Sequence, residues 1–151
     1  MDFFKARSFS NGKLAFILAL ALDRATKCWA LSSLAQYRGE RAFVSLGLHF
    51  NRGISFSLLE NSAHLGLTVT LAAAGLLGLL CASCGKIRSM PGMPFLWAGA
   101  LGNLTDRLLY GCVVDWLRIS GVCVNLADVW LCIGDLAVFV RCARNFKQKE
   151  Q

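Results

Sequence analysis

Residues 61–85 read NSAHLGLTVTLAAAGLLGLLCASCG and contain no Asp, Glu, Lys or Arg. This run is longer than the ~20 predominantly apolar residues that a transmembrane helix needs. The chain has 151 residues, of which 56% are hydrophobic and 17% are charged, whereas soluble domains carry roughly 25% charged residues. Length and composition therefore predict one membrane-embedded domain over residues 1–151.

Apolar segments of similar length occur on both sides of this run. Four candidate spans can be drawn, at about 14–34, 64–84, 93–109 and 124–140. At 1.5 Å per residue the first is about 31 Å long, which matches the ~30 Å hydrocarbon core of a bilayer. The predicted fold class is an all-α integral membrane protein with four transmembrane helices.

The basic residues indicate the orientation of these helices. They cluster before the first segment, after the second and after the fourth: Lys5, Arg7, Lys13, Lys86, Arg88, Arg141, Arg144, Lys147 and Lys149. Because cytoplasmic flanks are enriched in Lys and Arg, we expect both termini in the cytoplasm and the connections 35–63 and 110–123 outside. The same distribution explains the net charge of +7 without nucleic-acid binding.

Two other interpretations of the first segment are disfavoured. A cleaved signal peptide would need small residues where Asp23, Arg24 and Lys27 stand. The residues before Cys28 do not form the lipobox of a lipid anchor.

The seven cysteines fall mostly within or beside apolar segments. The pair Cys81 and Cys84 has the spacing of half a zinc site, but no second ligand pair completes it. We therefore expect no metal and interpret the cysteines as small packing residues. Cys112 and Cys123 share one predicted connection, and whether they form a disulfide is left open.

The outer connection after the first segment shows alternation of period two. Apolar and polar residues alternate over 45–50 and again over 54–58, on either side of Asn51-Arg52-Gly53. This pattern predicts an extracytoplasmic β-hairpin with one apolar face. An irregular loop with chance alternation remains the alternative.

Charged and amide side chains gather where the third and fourth segments approach each other. Asn103, Asp106 and Arg107 share one helix face, and Asn125 and Asp128 share another. Asp23 and Lys27 form an i, i+4 pair in the first segment. The predicted orientation places five side chains near the outer membrane boundary: Asp106, Arg107, Asp115, Asn125 and Asp128. Lys27 lies toward the outer half of the first segment.

A charge at the centre of a membrane helix costs roughly 2.5–3.5 kcal/mol on insertion scales, so these groups must be paired, solvated or reactive. Pairing of Asp106 with Arg107, and of Asp23 with Lys27 or Arg24, would make a purely structural network. Asp115 and Asp128 are harder to neutralise in this way. Two adjacent carboxylates share a proton and supply a base and an acid together, the arrangement that aspartic proteases use on peptides.

Two non-enzymatic interpretations stay open at this point: a small proton or ion carrier, and a structural membrane subunit. A relay would require acids spread through the depth of the bilayer, whereas most acids here cluster at one boundary. Serine-hydrolase and zinc-protease motifs are absent, since there is no Gly-x-Ser-x-Gly and no His-Glu-x-x-His.

Five stretches, in order, resemble motifs of the lipoprotein signal peptidases (signal peptidase II) of bacteria. They are Asp23-Arg24-Ala25-Thr26-Lys27, Asn51-Arg52-Gly53-Ile54-Ser55-Phe56-Ser57, Gly99-Ala100-Leu101-Gly102-Asn103-Leu104-Thr105-Asp106-Arg107, Gly111-Cys112-Val113-Val114-Asp115-Trp116 and Asn125-Leu126-Ala127-Asp128. The chain departs from the family pattern at Ser55, Trp116 and Val124, where alanine, phenylalanine and phenylalanine are usual.

The resemblance implies that Asp115 and Asp128 are the catalytic dyad of an aspartyl endopeptidase without a cofactor. It implies that the substrate-binding and site-shaping residues are Asn51, Gly53, Asn103, Arg107 and Asn125, with Asp23 and Lys27. The implied substrates are prolipoproteins, cleaved just before a diacylglyceryl-modified cysteine, and the implied inhibitor is globomycin. The implied location is the bacterial cytoplasmic (inner) membrane, in contact with its lipid, with the active site near the outer face. Asp135 has no family counterpart, and we expect it to pair with Arg24 or to stay protonated.

Overall fold

The computed structural model describes residues 2–35, 42–52, 69, 73 and 89–148. In chain order the elements are α1 (Asp2–Ser33), β1 (Val44–Asn51), α2 (Met93–Tyr110), β2 (Val113–Ile119), β3 (Val122–Val124) and α3 (Leu126–Lys147). The helices cover most of the predicted first, third and fourth segments. The predicted second segment, 64–84, lies outside the described residues except for Val69 and Ala73, which are both helical. Measured by length and hydropathy, no helix within these ranges qualifies as a membrane span.

Residues at both ends of α2 explain where this helix starts and stops. A proline occupies its first turn, where a backbone N–H would lack a helical partner in any case. At the other end Gly111 adopts a left-handed conformation with φ 69°, and its N–H donates to the carbonyl of Arg107. This left-handed cap ends the helix directly after the turn that carries Asp106 and Arg107.

α2 packs closely against α3 because glycines line their contact. A Cβ on Gly99 would lie 2.5 Å from the carbonyl oxygen of Ala127, and one on Gly134 would lie 2.7 Å from Cγ of Leu96. The indole N–H of Trp130 donates to the carbonyl of Ala19 at 3.0 Å. The start of α3 is thereby held close to α2, and its second turn is fastened to α1.

The three strands form one antiparallel sheet in the order β1-β2-β3. β1 pairs with β2 from Val44 opposite Ile119 to Asn51 opposite Val113, with an irregularity between Leu46 and His49. Ser120 and Gly121 connect β2 to β3 with φ of 51° and 88°, as a tight two-residue hairpin loop requires.

This sheet confirms one expectation and corrects another. The strand predicted over 45–50 is β1, while the predicted second strand, 54–58, lies outside the described residues. The predicted fold class placed strands only between the first and second helices, and this was wrong, because β2 and β3 lie between α2 and α3. The sequence Val113-Val114-Asp115-Trp116-Leu117-Arg118-Ile119 is rich in β-branched and aromatic residues, which favour strands. The described fold therefore combines helices with a three-stranded sheet, instead of helices with a single hairpin.

Candidate active site

Asp115 lies in the first half of β2 and is 1% exposed. Two amide side chains donate to its carboxylate, one to each oxygen. Asn51, the last residue of β1, reaches Oδ2 at 3.1 Å, and Asn125 reaches Oδ1 at 2.5 Å. Burial raises the pKa of Asp115 to about 6, reinforced by the charge of Asp128 and opposed by the two amide hydrogen bonds. This carboxyl group is therefore able to hold or release a proton near neutral pH.

Asp128 lies in the first turn of α3, where it forms part of the helix cap. Its N–H donates to Oδ1 of Asn125 at 3.2 Å, and its Oδ2 accepts the N–H of Asn125 at 3.2 Å. This reciprocal pair has the pattern of a capping box. The other carboxylate oxygen, Oδ1, accepts Nδ2 of Asn103 at 2.9 Å.

Asn125 joins the two aspartates through its own atoms. Its amide nitrogen donates to Asp115, while its amide oxygen and its backbone N–H both bond Asp128. The two carboxylates are close enough for the charge of Asp128 to act on Asp115. The structure thus brings the two predicted aspartates together, although β2 and α3 carry them on separate elements.

A second cluster lies behind the aspartates and contains two acids and two cations. Nη2 of Arg24 is 2.9 Å from Oδ2 of Asp23 and 2.7 Å from Oδ1 of Asp106. Nζ of Lys27 is 3.1 Å from Oδ2 of Asp23 and 2.8 Å from Oδ2 of Asp106. Asp23 and Asp106 are 0% exposed and Lys27 is 1% exposed. The opposite charges balance within this buried group, which we call the four-charge cluster.

Four hydrogen bonds, two of them in series through Asn103, make three connections between the four-charge cluster and the aspartate pair. Nζ of Lys27 donates to Oδ1 of Asn103 at 3.1 Å, and the amide of Asn103 bonds Asp128. Oδ2 of Asp106 accepts the backbone N–H of Val114 at 3.1 Å. Oδ1 of Asp23 accepts the backbone N–H of Ala127 at 3.0 Å. Val114 and Ala127 each immediately precede one of the two aspartates.

The remaining predicted residues are placed as follows. Arg107, on the last turn of α2, lies within electrostatic range of Asp128, Asp115 and Asp106. Gly53 lies outside the described residues. Asp135 is exposed on α3, and the expectation that it pairs with Arg24 was wrong, because Arg24 contacts Asp23 and Asp106.

Cys112 and Cys123, whose pairing the sequence left open, both carry free thiols. The thiol of Cys112 donates to the carbonyl of Tyr110 at 3.5 Å, and burial raises its pKa.

The contact between Arg24 and Asp106, and the contact between Asp106 and Val114, were missed by sequence reasoning. The hydrogen bond from Arg24 to Asp106 joins residues 82 positions apart in the chain. The only sequence indication was that Arg24 is a cation next to Asp23 in an apolar helix. Asp106 was expected to use Arg107, its neighbour in sequence, and its contacts with Arg24 and Lys27 depend on how α1 packs against α2.

Comparisons with known proteins show the family to which the chain belongs. A family model described as signal peptidase (SPase) II matches residues 15–144. The chain belongs to the signal peptidase II family. It is 35% identical over 130 residues to a lipoprotein signal peptidase of Bifidobacterium adolescentis, covering 80% of this chain and 70% of the relative. It is 33% identical over 145 residues to that of Clostridium novyi, covering 84% of this chain and 95% of the relative.

A solved structure described as a bacterial membrane enzyme has the same fold. It superposes with a TM-score of 0.77 at 21% identity, over 93% of this chain and 92% of that one. A second such structure gives a TM-score of 0.70 at 21% identity, over 88% and 92%. The family assignment makes the chain a peptidase of the signal peptidase II type.

Proposed function

We propose that this signal peptidase II removes the signal peptides of prolipoproteins by aspartyl catalysis, with Asp115 and Asp128 as the catalytic residues. The observation that carries the proposal is the bridge through Asn125, which binds both carboxylates with one side chain and one backbone N–H. Two carboxyl groups that share one bridging residue, with the charge of one raising the pKa of the other, favour a single shared proton. One group is then available as a base and the other as an acid.

The geometry supports a distinct starting role for each carboxyl group. Asp115 is the more deeply buried of the two by exposed fraction, and burial raises its pKa, so we assign the shared proton to Asp115 at the start of the reaction. Asp128 lies at the N-terminal end of α3, where the helix dipole favours negative charge. Asp128 therefore takes a proton from the attacking water, while Asp115 gives its proton to the scissile carbonyl oxygen.

Proton balance completes the reaction. The water oxygen bonds to the carbonyl carbon and gives a tetrahedral diol. When the C–N bond breaks, Asp128 returns its proton to the leaving amine and Asp115 recovers one from a diol hydroxyl. Each carboxyl group thus ends in its starting state. Asn51, Asn103 and Asn125 keep the carboxylates oriented through their hydrogen bonds, and Arg107 supplies a nearby positive charge.

The substrate proposal rests on the family. We expect cleavage just before a diacylglyceryl-modified cysteine, block of turnover by globomycin, and a role for Gly53 in substrate handling. We further propose a bacterial inner-membrane protein with four transmembrane helices, cytoplasmic termini and an outward-facing site. Reporter fusions at Gly12, Gly85 and Lys147 are then expected on the cytoplasmic side, and fusions at Gly39 and Ser120 outside. A reporter that places Lys147 outside would contradict this orientation.

The deciding experiment uses purified protein and a lipidated prolipoprotein peptide, with and without globomycin. Asp115→Asn and Asp128→Asn are each expected to lower turnover by roughly 10²–10⁴-fold or more, the usual contribution of a general acid or base. The double variant is expected to be no slower than either single one, because the residues act as a unit. Asp135→Asn removes an exposed acid of the same helix and serves as the matched control. Substantial turnover in either dyad variant would refute the assignment, and an ion carrier or structural subunit would show no cleavage at all.

A further inference from the structure

The four-charge cluster contacts the backbone next to each aspartate of the dyad. Asp106, on α2, accepts the N–H of Val114, the residue before Asp115. Asp23, on α1, accepts the N–H of Ala127, the residue before Asp128. Each acid thus accepts the backbone N–H of the residue that precedes one of the two proposed catalytic residues. The two acids and the two proposed catalytic residues lie on four different elements.

We propose that Asp106 and Asp23 are positioning residues of the dyad. Asp106 fixes β2 beside Asp115, Asp23 fixes the first turn of α3 beside Asp128, and Arg24 and Lys27 hold both acids in place. The kinetic part of this proposal rests on the proposed function, whereas the structural part does not.

The surroundings of Val114 explain why β2 needs an anchor there. Among the described strands, β3 pairs only with Leu117 to Ile119 of β2. The first half of β2 therefore has a strand neighbour, β1, on one side only. At Val114 the carboxylate of Asp106 supplies a fixed acceptor, and both residues are 0% exposed. Without this contact the backbone N–H of Val114, on the side of β2 away from β1, loses its acceptor.

The start of α3 is held in an equivalent way. The N–H groups of the first helical turn have no acceptor within the helix. Asp128 uses the side chain of Asn125, while Ala127 uses Asp23 of α1. A carboxylate at this position also interacts favourably with the helix dipole. Asp23 thus fixes where α3 begins relative to α1, and with it the position of Asp128.

The cations restrict the movement of both acids. Lys27 contacts Asp23 and Asp106 and also donates to Asn103, which binds Asp128. Arg24 contacts both acids from the partly exposed side of the cluster, where its side chain is 28% exposed. An acid with two cationic partners has little freedom to rotate away from the backbone N–H that it accepts.

Hydrogen exchange of the purified protein tests the anchoring without any substrate. Asp106→Ala is expected to speed exchange in the peptide 112–116 and to spare 126–130, and Asp23→Ala is expected to do the reverse. The expected acceleration is roughly tenfold to a hundredfold, as for the loss of a hydrogen bond to a charged group. Asp135→Asn should change neither peptide. Uniform acceleration in both peptides, or none in either, would overturn the proposal.

Turnover of a lipidated prolipoprotein peptide tests the positioning role, with Asp106→Glu as a second variant. Glutamate keeps the charge and the ion pairing but is one methylene longer. It therefore changes the distance between the carboxylate and the backbone N–H of Val114 and displaces β2. Positioning predicts that kcat per folded enzyme falls in Asp106→Glu while KM stays unchanged. If Asp106 only neutralises the cations, Asp106→Glu keeps wild-type kcat and the proposal fails. A wild-type protein without turnover would instead overturn the proposed function, while the exchange experiment would still decide the anchoring.

Discussion

Replacing Asp115 by asparagine is expected to change how the stability of the protein depends on pH. Burial raises the pKa of Asp115 from 3.8 to about 6. In the folded state this group therefore binds a proton more tightly than in the unfolded chain. Stability that depends on the protonated form is complete below the unfolded-state pKa and is lost as the pH rises through about 6. The shift of roughly two pKa units corresponds to about 3 kcal/mol.

Asparagine does not titrate, so the variant lacks this loss. Its amide nitrogen faces Asn51 or Asn125, which both donate to Asp115, and this clash lowers stability by a constant amount at every pH. The informative quantity is the difference in free energy of unfolding between the two proteins, and how this difference changes with pH. From about pH 4 to about pH 8, wild type is expected to lose about 3 kcal/mol relative to Asp115→Asn.

The assay is unfolding in mixed micelles titrated with dodecyl sulfate, followed by far-ultraviolet circular dichroism at a series of pH values. Because the charge of Asp128 contributes to the raised pKa of Asp115, the same comparison in an Asp128→Asn background should give a smaller change. If the difference in free energy of unfolding stays constant with pH, or if wild type gains stability relative to Asp115→Asn as the pH rises, the reasoning that Asp115 is a buried carboxyl group with a raised pKa is refuted.

Three further predictions concern the surroundings of the dyad. Lys27→Met leaves two buried carboxylates with one cation fewer and is expected to lower the free energy of unfolding by about 3–5 kcal/mol, measured in the same micelle titration. Gly102→Ala places a methyl group 2.5 Å from Oδ2 of Asp23, and the expected loss of about 1–3 kcal/mol should be absent in Gly47→Ala, where nothing lies within 4 Å. Asn125→Ala removes the cap of α3 and is expected to lower the free energy of unfolding by about 1 kcal/mol. Because the hydrogen bond from Asn125 lowers the pKa of Asp115, this variant is also expected to lose more stability than wild type as the pH rises from about 4 to about 8. Wild-type stability in Lys27→Met or Gly102→Ala would contradict the contacts described for Lys27 and Gly102. A smaller loss of stability with rising pH in Asn125→Ala than in wild type would contradict the effect of Asn125 on the pKa of Asp115.

The grouping of the polar side chains followed in part from local spacing. Asn103 and Asp106 share one face of α2 as predicted, whereas Asn125 precedes α3 and contacts Asp128 as its cap instead of sharing a helix face with it. The helix bounds of α2 were predictable from its first proline and its terminal glycine. Motif resemblance then assigned Asp115 and Asp128 as a pair, and the structure brings them together at Asn125.

The partners of Asp106 were not predictable from spacing, because three cations lie within reach of the acids. Sequence proximity favoured Arg107, whereas packing of α1 on α2 brings Arg24 and Lys27 to Asp106. β2 and β3 were overlooked for a related reason. Strand pairing joins distant segments, Asn51 with Val113 for example, and a short connection between two apolar segments gives little local indication of such a partner.

The order of the elements along the chain has a consequence for the time at which activity begins. Asp115 lies on β2, but Asp128 and the bridging Asn125 belong to α3, the last helix described. During synthesis the N-terminal elements emerge first. A nascent chain that has emerged only through β2 carries one carboxyl group of the dyad, held by Asn51 but without its partner acid or the bridge. If Asp115 and Asp128 are the catalytic pair that we propose, proteolytic activity is expected to begin only when α3, the last helix of the described residues, docks on α1 and α2.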